Sequence, residues 1–429
     1  MKVTRARGAV ALIIFALIGG CAKVPIEDLD GYRSAFSQVS VVSEALYEEA
    51  AKVVIDVKEA QLALARDGKK ERKAFINPPS VFEPSKVAGS GGRIWELPEP
   101  ITLRLSAIQT VNAYNDSLVA HVSGDPLEKV VAPLKAAAGQ IEDFTDLASS
   151  ISGVETLGQG SSAGLGSLVI QLNPFGSMAP GAIDGLKGLV RLALQAKTES
   201  EMQEALLAGY RPVQEVLTIL EEDSAQLYGF QKVRCSLTRY ELLKENSKTL
   251  GSIVDLSQAF GRPTQAPKST TVGTMEHRMT SSMIAIFQPS AQFDPCGSGK
   301  PEMVTPKKLK FSIGSFPYKF PFANQLGKPM TDNAADAFDV FVTKYQDNAA
   351  RTVAASESLQ NYHSRVLPNY VMLLRNAKRG LEIVSISANR QPALAERAGD
   401  LIVTSANIRS NIDNIRSAMK TEATSTLPR

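Results

Sequence analysis

Apolar residues recur at steps of three and four along most of this chain, in long runs separated by stretches rich in proline and glycine. Over 28–66, Leu29, Tyr32, Phe36, Val39, Val42, Leu46, Ala50, Val53, Val57, Ala60 and Leu64 fall on one stripe of a helix. Asp67-Gly68 supplies its stop. Pro78, Pro79, Pro84, Pro98 and Pro100, with Gly89, Gly91 and Gly92, then exclude a long regular element before a second helix over 101–122. Gly124-Asp125-Pro126 restarts a third, with Asp125 suited to the cap and Pro126 to the first helical position. Its stripe runs through Leu127, Val130, Leu134, Ala138, Ile141, Phe144, Ala148 and Ile151.

Further along, Thr198-Glu199-Ser200-Glu201 reads as a capping box opening a long helical stretch over 201–257, with Pro212 as a place to bend. Helix returns over 332–387, bending at Pro368, and again over 392–421. In that last segment Leu394, Ala398, Leu401, Ser405, Ile408, Ile412, Ile415 and Met419 keep strict four-three alternation, the pattern of a coiled-coil-like packing face. Two segments break the pattern. The stretch 156–183 is uncharged and glycine-rich, and Leu186, Leu189, Val190 and Leu194 follow it on a short helix. Within the Pro/Gly-rich segment 261–330, a short helix is expected over 275–287. There Leu309, Phe311 and Ile313 also alternate with Lys308, Lys310 and Ser312 as a strand would, with 318–322 available to complete a hairpin.

Amphipathic helices of thirty residues or more cannot hide their stripes alone. The expected fold is therefore all-α: an elongated helical bundle with long amphipathic helices, Pro/Gly-rich loop segments and one small β-hairpin. Residues 28–260 form its main part, 331–422 pack on the same bundle, and the first and last helices are expected to be neighbours. No shared motif recurs at a fixed period, which argues against a solenoid.

The first twenty residues differ from the rest. Lys2, Arg5 and Arg7 precede an apolar run over 9–18, a signal-peptide pattern. That run is too short for a membrane span, which needs about 20 residues. It ends in Leu17-Ile18-Gly19-Gly20-Cys21, which resembles the lipobox of bacterial lipoproteins, except that Leu17 lies one place early and Ile18 stands where leucine is usual. The resemblance implies cleavage before Cys21, a thioether-linked diacylglycerol on its sulfur, and a tether over 21–27 that holds the body at the bilayer. Each buried acyl methylene contributes about 0.8 kcal/mol, so several chains anchor firmly without help from the protein. By the same resemblance, Ala22 rather than aspartate after the cysteine favours the outer membrane, with the body facing the periplasm.

Removing residues 1–20 takes away three basic residues and no acidic one, so the net charge falls from +3 to 0. A nucleic-acid partner normally requires a basic surplus, and none is visible. Cys235 and Cys296 remain, and an exported location leaves two readings open: a disulfide, or two separate thiols with Cys235 as plain core. His121, His277 and His363 are the only histidines, and none stands at metal-ligand spacing from a glutamate or another histidine. Glycines 158, 160, 164 and 166 lack the lysine and strand–helix setting of a phosphate loop. Glu48-Glu49 and Glu221-Glu222-Asp223 read as solvated helix faces. Lys307, Lys308 and Lys310 read as guards on an edge strand.

No catalytic residue, metal ligand or cofactor is therefore expected. The expected partners are the bilayer, through acylated Cys21, and an envelope protein. The reading that follows is a non-enzymatic scaffold, adaptor or binding module. The alternative rests on 157–183, whose core is Leu165, Leu168, Val169, Ile170 and Leu172. That arrangement resembles the apolar head of helical pore-forming toxins, set against the plainer readings of a buried loop with a short helix and of a partner-docking patch.

Overall fold

The computed structural model describes residues 26–67, 99–150, 155–157, 170–172, 180–259, 296, 332–389 and 391–426. They form an all-α bundle of helices α1 (Ile26–Asp67), α2 (Glu99–Val122), α3 (Leu127–Ser150), α4 (Pro180–Gln195), α5 (Glu199–Ala259), α6 (Asp332–Asn361), α7 (Leu367–Asn389) and α8 (Gln391–Thr426). At 1.5 Å of rise per residue the 61 residues of α5 span roughly 90 Å, which makes the bundle elongated.

Packing sorts the helices into two layers. Helices α1, α2, α5 and α7 each touch the other three and make the inner layer. Outside it, α3 and α4 cover the α2–α5 side, α8 lies against α1 and α7, and α6 packs along α5 and α8. The neighbouring first and last helices match the expectation from sequence. So do the stripes, since Leu29, Tyr32, Phe36, Val39, Val42, Leu46, Ala50 and Val53 of α1 are buried, as are Leu401, Ser405, Ile408, Ile412 and Ile415 of α8. Two glycines set how closely helices approach. A Cβ at Gly380 of α7 would collide with the Tyr32 ring of α1, and one at Gly209 of α5 with Leu189 of α4.

Local chemistry fixes the helix ends. Gly124 adopts φ +74°, its N–H donates to the His121 carbonyl, and the Asp125 N–H reaches back to Ala120 at 3.0 Å, a Schellman closure of α2. Asp125 pairs through its carboxylate with Lys129. The capping box at α5 is present: Thr198 Oγ1 accepts from the Glu201 N–H at 3.2 Å, and Glu201 Oε2 accepts from the N–H groups of Thr198 and Lys197. These backbone bonds, led by that from Lys197, hold the Glu201 carboxyl below its ordinary range. Helix α5 continues through Pro212, whose ring lies over Gly185 of α4.

The bend expected at Pro368 takes the form of a π turn over Tyr362–Val366 that joins α6 to α7. There the Leu367 N–H bonds to the Tyr362 carbonyl five residues back. Proline cannot donate and crowds the carbonyl four residues before it, so a wider turn accommodates it. Side chains take up nearby carbonyls, with Ser364 Oγ donating to Gln360 and Asn369 Nδ2 to Arg365.

The short helix expected after the glycine-rich stretch is α4; the loop before it is corrected, because Glu155–Leu157 (β1) and Ile170–Leu172 (β2) pair as a short antiparallel ladder, with Leu157 opposite Ile170, and β2 lies against α5. The hairpin expected over 309–322 and the helix expected over 275–287 lie outside the described residues.

Candidate functional site

The most concentrated chemistry among the described residues lies where the four inner helices meet. On α5 the apolar stripe runs Val216, Leu220, position 223, Leu227, Phe230, so position 223 faces the core; it is aspartate. On α2, position 104 lies three residues after Ile101 and four before Ile108, also on the buried stripe; it is arginine. Both side chains are wholly buried. Their antiparallel helices bring them together as a forked pair: Arg104 Nε donates to Asp223 Oδ2 at 2.6 Å and a terminal guanidinium nitrogen to Oδ1 at 3.0 Å. Tyr47 of α1 donates its hydroxyl to Asp223 Oδ2 at 2.9 Å.

Tyr370 of α7 completes the ring of four helices. Its hydroxyl lies beside those of Ser43 and Tyr47, close enough to influence titration, yet the Ser43 and Tyr370 oxygens close no hydrogen bond of good geometry. Burial raises the Tyr47 phenol well above its ordinary range, and the Asp223 charge adds to this against the opposing Arg104. Burial likewise raises Tyr370. Both phenols therefore stay protonated, and that of Tyr47 serves as a donor, not a base. With the guanidinium and carboxylate engaged on each other and no part of either exposed, the centre ties α1, α2, α5 and α7 together. Farther along the same interior, the Tyr32 hydroxyl donates to Asn115 Oδ1 at 2.9 Å, and Asn115 Nδ2 and Ser117 Oγ are buried without partners.

This overturns the reading of Glu221-Glu222-Asp223 as a solvated acidic face. Only Glu222 is exposed; Glu221 pairs with Arg375 and Lys378 of α7. Glu49, read the same way, pairs with Arg234 of α5 and buries its other oxygen. The physical reason is that inner helices are covered on nearly every side, so a charge there meets a partner helix instead of water. The sequence held a signal: single opposite charges at stripe positions of two helices.

A second cluster lies where α5 meets α6. Cys235 and Cys296 form a disulfide with Cα atoms 5.6 Å apart, which decides the question that sequence left open. Both sulfurs are buried against Leu359 and beside Tyr228. The Tyr228 ring takes the exposed His363 of the π turn on one side, centroids 4.7 Å apart, and the Lys232 ammonium at 4.9 Å. His121 ends α2 half-buried, and burial lowers its pKa against the opposing Glu199.

Of the other residues singled out from sequence, Ile170 and Leu172 are on β2, while Cys21, Leu165, Leu168, Val169 and His277 lie outside the described residues. Among the described residues no cluster of three or more histidine, cysteine, aspartate or glutamate side chains could hold a metal ion, and no helix is long and apolar enough to cross a membrane.

The fold and its centre define the chain as an all-α bundle closed around a buried ion pair. No protein-family model, curated protein or solved structure matches it.

Proposed function

We propose that this chain is a bacterial envelope lipoprotein, anchored through acylated Cys21 with its body facing the periplasm, and that the body is a non-enzymatic scaffold or binding module. The observation that carries the reading is the Cys235–Cys296 disulfide, because such bonds persist in oxidising compartments and are rare in the cytosol. It agrees with the export signal and with the lipobox-like Leu17-Ile18-Gly19-Gly20-Cys21. The binding role is supported by long helices whose interior charges are spent on one another, which leaves the surface of an elongated body for contact.

The reading is tested by cross-linking intact envelopes that contain the full chain and purifying it under denaturing conditions. The expected result is one recurrent envelope protein cross-linked to the wild type and lost when Cys21→Ser releases the chain from the membrane. Recovery of no partner, together with leakage of liposomes by the delipidated body, would favour the membrane-active alternative built on 157–183 and overturn this one.

A further inference from the structure

The register of the helices shows which end of the bundle the chain enters. Gln203 Nε2, one turn into α5, donates to the carbonyl of Ala388, one residue before the end of α7, at 2.6 Å. Tyr114 of α2 donates to the Leu206 carbonyl at 2.7 Å, and the His121 ring at the end of α2 feels the charge of Glu199 at the start of α5. The last turns of α2, α4 and α7 and the first turns of α3, α5 and α8 therefore lie together at one closed end.

Helix α1 starts near this end and runs away from it. Tyr32 sits against Gly380, nine residues before the end of α7, and α1 begins at Ile26, six residues nearer that end; its start thus lies within roughly 10 Å of it. Arg33 of α1, paired at 3.0 Å with Asp116, which lies six residues before the end of α2, gives a similar level. Cys21 precedes Ile26 by five residues, which reach at most roughly 17 Å when extended. An anchored Cys21 can bring the closed end to the bilayer, while α5 extends roughly 90 Å from it, beyond the reach of such a tether.

The surface at this end suits the position. Leu192 and Leu194, on the final turn of α4, are 42% and 45% exposed, and that turn carries no basic residue. Around them Lys129, Arg191 and Lys197 are balanced by Asp125, Glu128 and Glu199, so contact there depends on apolar side chains and the tether more than on attraction to anionic headgroups.

Resting on the lipid-anchor reading above, we infer that the closed end of the bundle, bearing Leu192 and Leu194, is the surface that faces the lipid bilayer. The bundle then stands on the membrane and carries the Cys235–Cys296 staple, 36 residues along α5 from Glu199, roughly 50 Å outward.

The experiment uses the full lipidated chain in vesicles of phosphatidylethanolamine and phosphatidylglycerol that contain a headgroup spin-labelled lipid. One fluorophore is attached at Glu128→Cys, at the closed end, or at Glu241→Cys, far along α5; both sites are exposed, and the native Cys235 and Cys296 are paired. The expected result is loss of most of the fluorescence at 128 and none at 241. Equal quenching at both sites, with binding still dependent on Cys21, would mean that the bundle lies flat and would overturn this inference while leaving the anchor intact. Vesicle binding that survives Cys21→Ser would overturn the anchor and this inference with it.

Discussion

Helix α8 and helix α2 solve the same packing problem in opposite ways. Helix α8 buries a narrow seam, Leu401, Thr404, Ser405, Ile408, Ile412 and Ile415, and leaves most of the positions between them in water. Helix α2 buries Ile101, Leu103, Arg104, Ala107, Ile108, Thr110, Val111, Tyr114, Asn115 and Leu118, on most sides of the helix. An outer helix can keep its charges in solvent. An inner helix has little solvent-facing surface, so each charge it carries must be matched across the core, as Arg104 is by Asp223. The two layers should therefore fail under different perturbations.

The largest effect expected is alkaline unfolding that starts in the inner layer. Tyr32 and Tyr47 of α1, Tyr114 of α2 and Tyr370 of α7 all have phenols raised by burial above the ordinary value of 10.0. A phenol kept protonated in the fold contributes stability that is full below pH 10 and is lost as the pH rises above it. Tyrosinate absorbance should accordingly appear late and together with loss of helical circular dichroism. Early ionisation of these tyrosines without unfolding would contradict the inner layer as described.

Next in size is the ion pair. Asp223→Ala strands a buried guanidinium and should cost about 3–5 kcal/mol in urea unfolding. The joint change Arg104→Met with Asp223→Leu should recover most of that loss, since buried pairs replaced by apolar residues are often neutral. Equal losses from the single and joint variants would show that the pair contributes net stability and is not merely a matched burial. On the outer layer, Ile412→Ala should cost about 3 kcal/mol through a cavity in the α8 seam, with little change in the alkaline transition. A smaller effect, about 1 kcal/mol, is expected from Thr198→Ala, which removes one arm of the cap on α5. A loss as large as that of Asp223→Ala would mean that the capping box holds more than its own helix end.

The same contrast explains what the sequence disclosed. The α8 seam, the α1 stripe and the Thr198–Glu201 box were legible because each is a local pattern whose partner is water on one side and core on the other. The Arg104–Asp223 pair was not, because its two halves lie 119 residues apart, and a charge at a stripe position does not by itself name the helix that matches it. Glu221, Glu222 and Asp223 are adjacent in sequence yet have three different environments, a paired flank, solvent and the core, which a run of like charges conceals. The bend at Pro368 was legible and its π turn was not, since proline dictates a disturbance but neighbouring side chains decide its form. Cys235 and Cys296 were visible as candidates only; pairing depends on α5 presenting the first where the second arrives.

Acylation of Cys21 would make this elongated bundle a membrane-bound one. Mass spectrometry of the amino-terminal peptide of the mature protein is the direct measurement. The mature chain is expected to begin at Cys21 and to carry a diacylglyceryl thioether; one that begins with any other residue, or with an unmodified Cys21, would rule out the anchor.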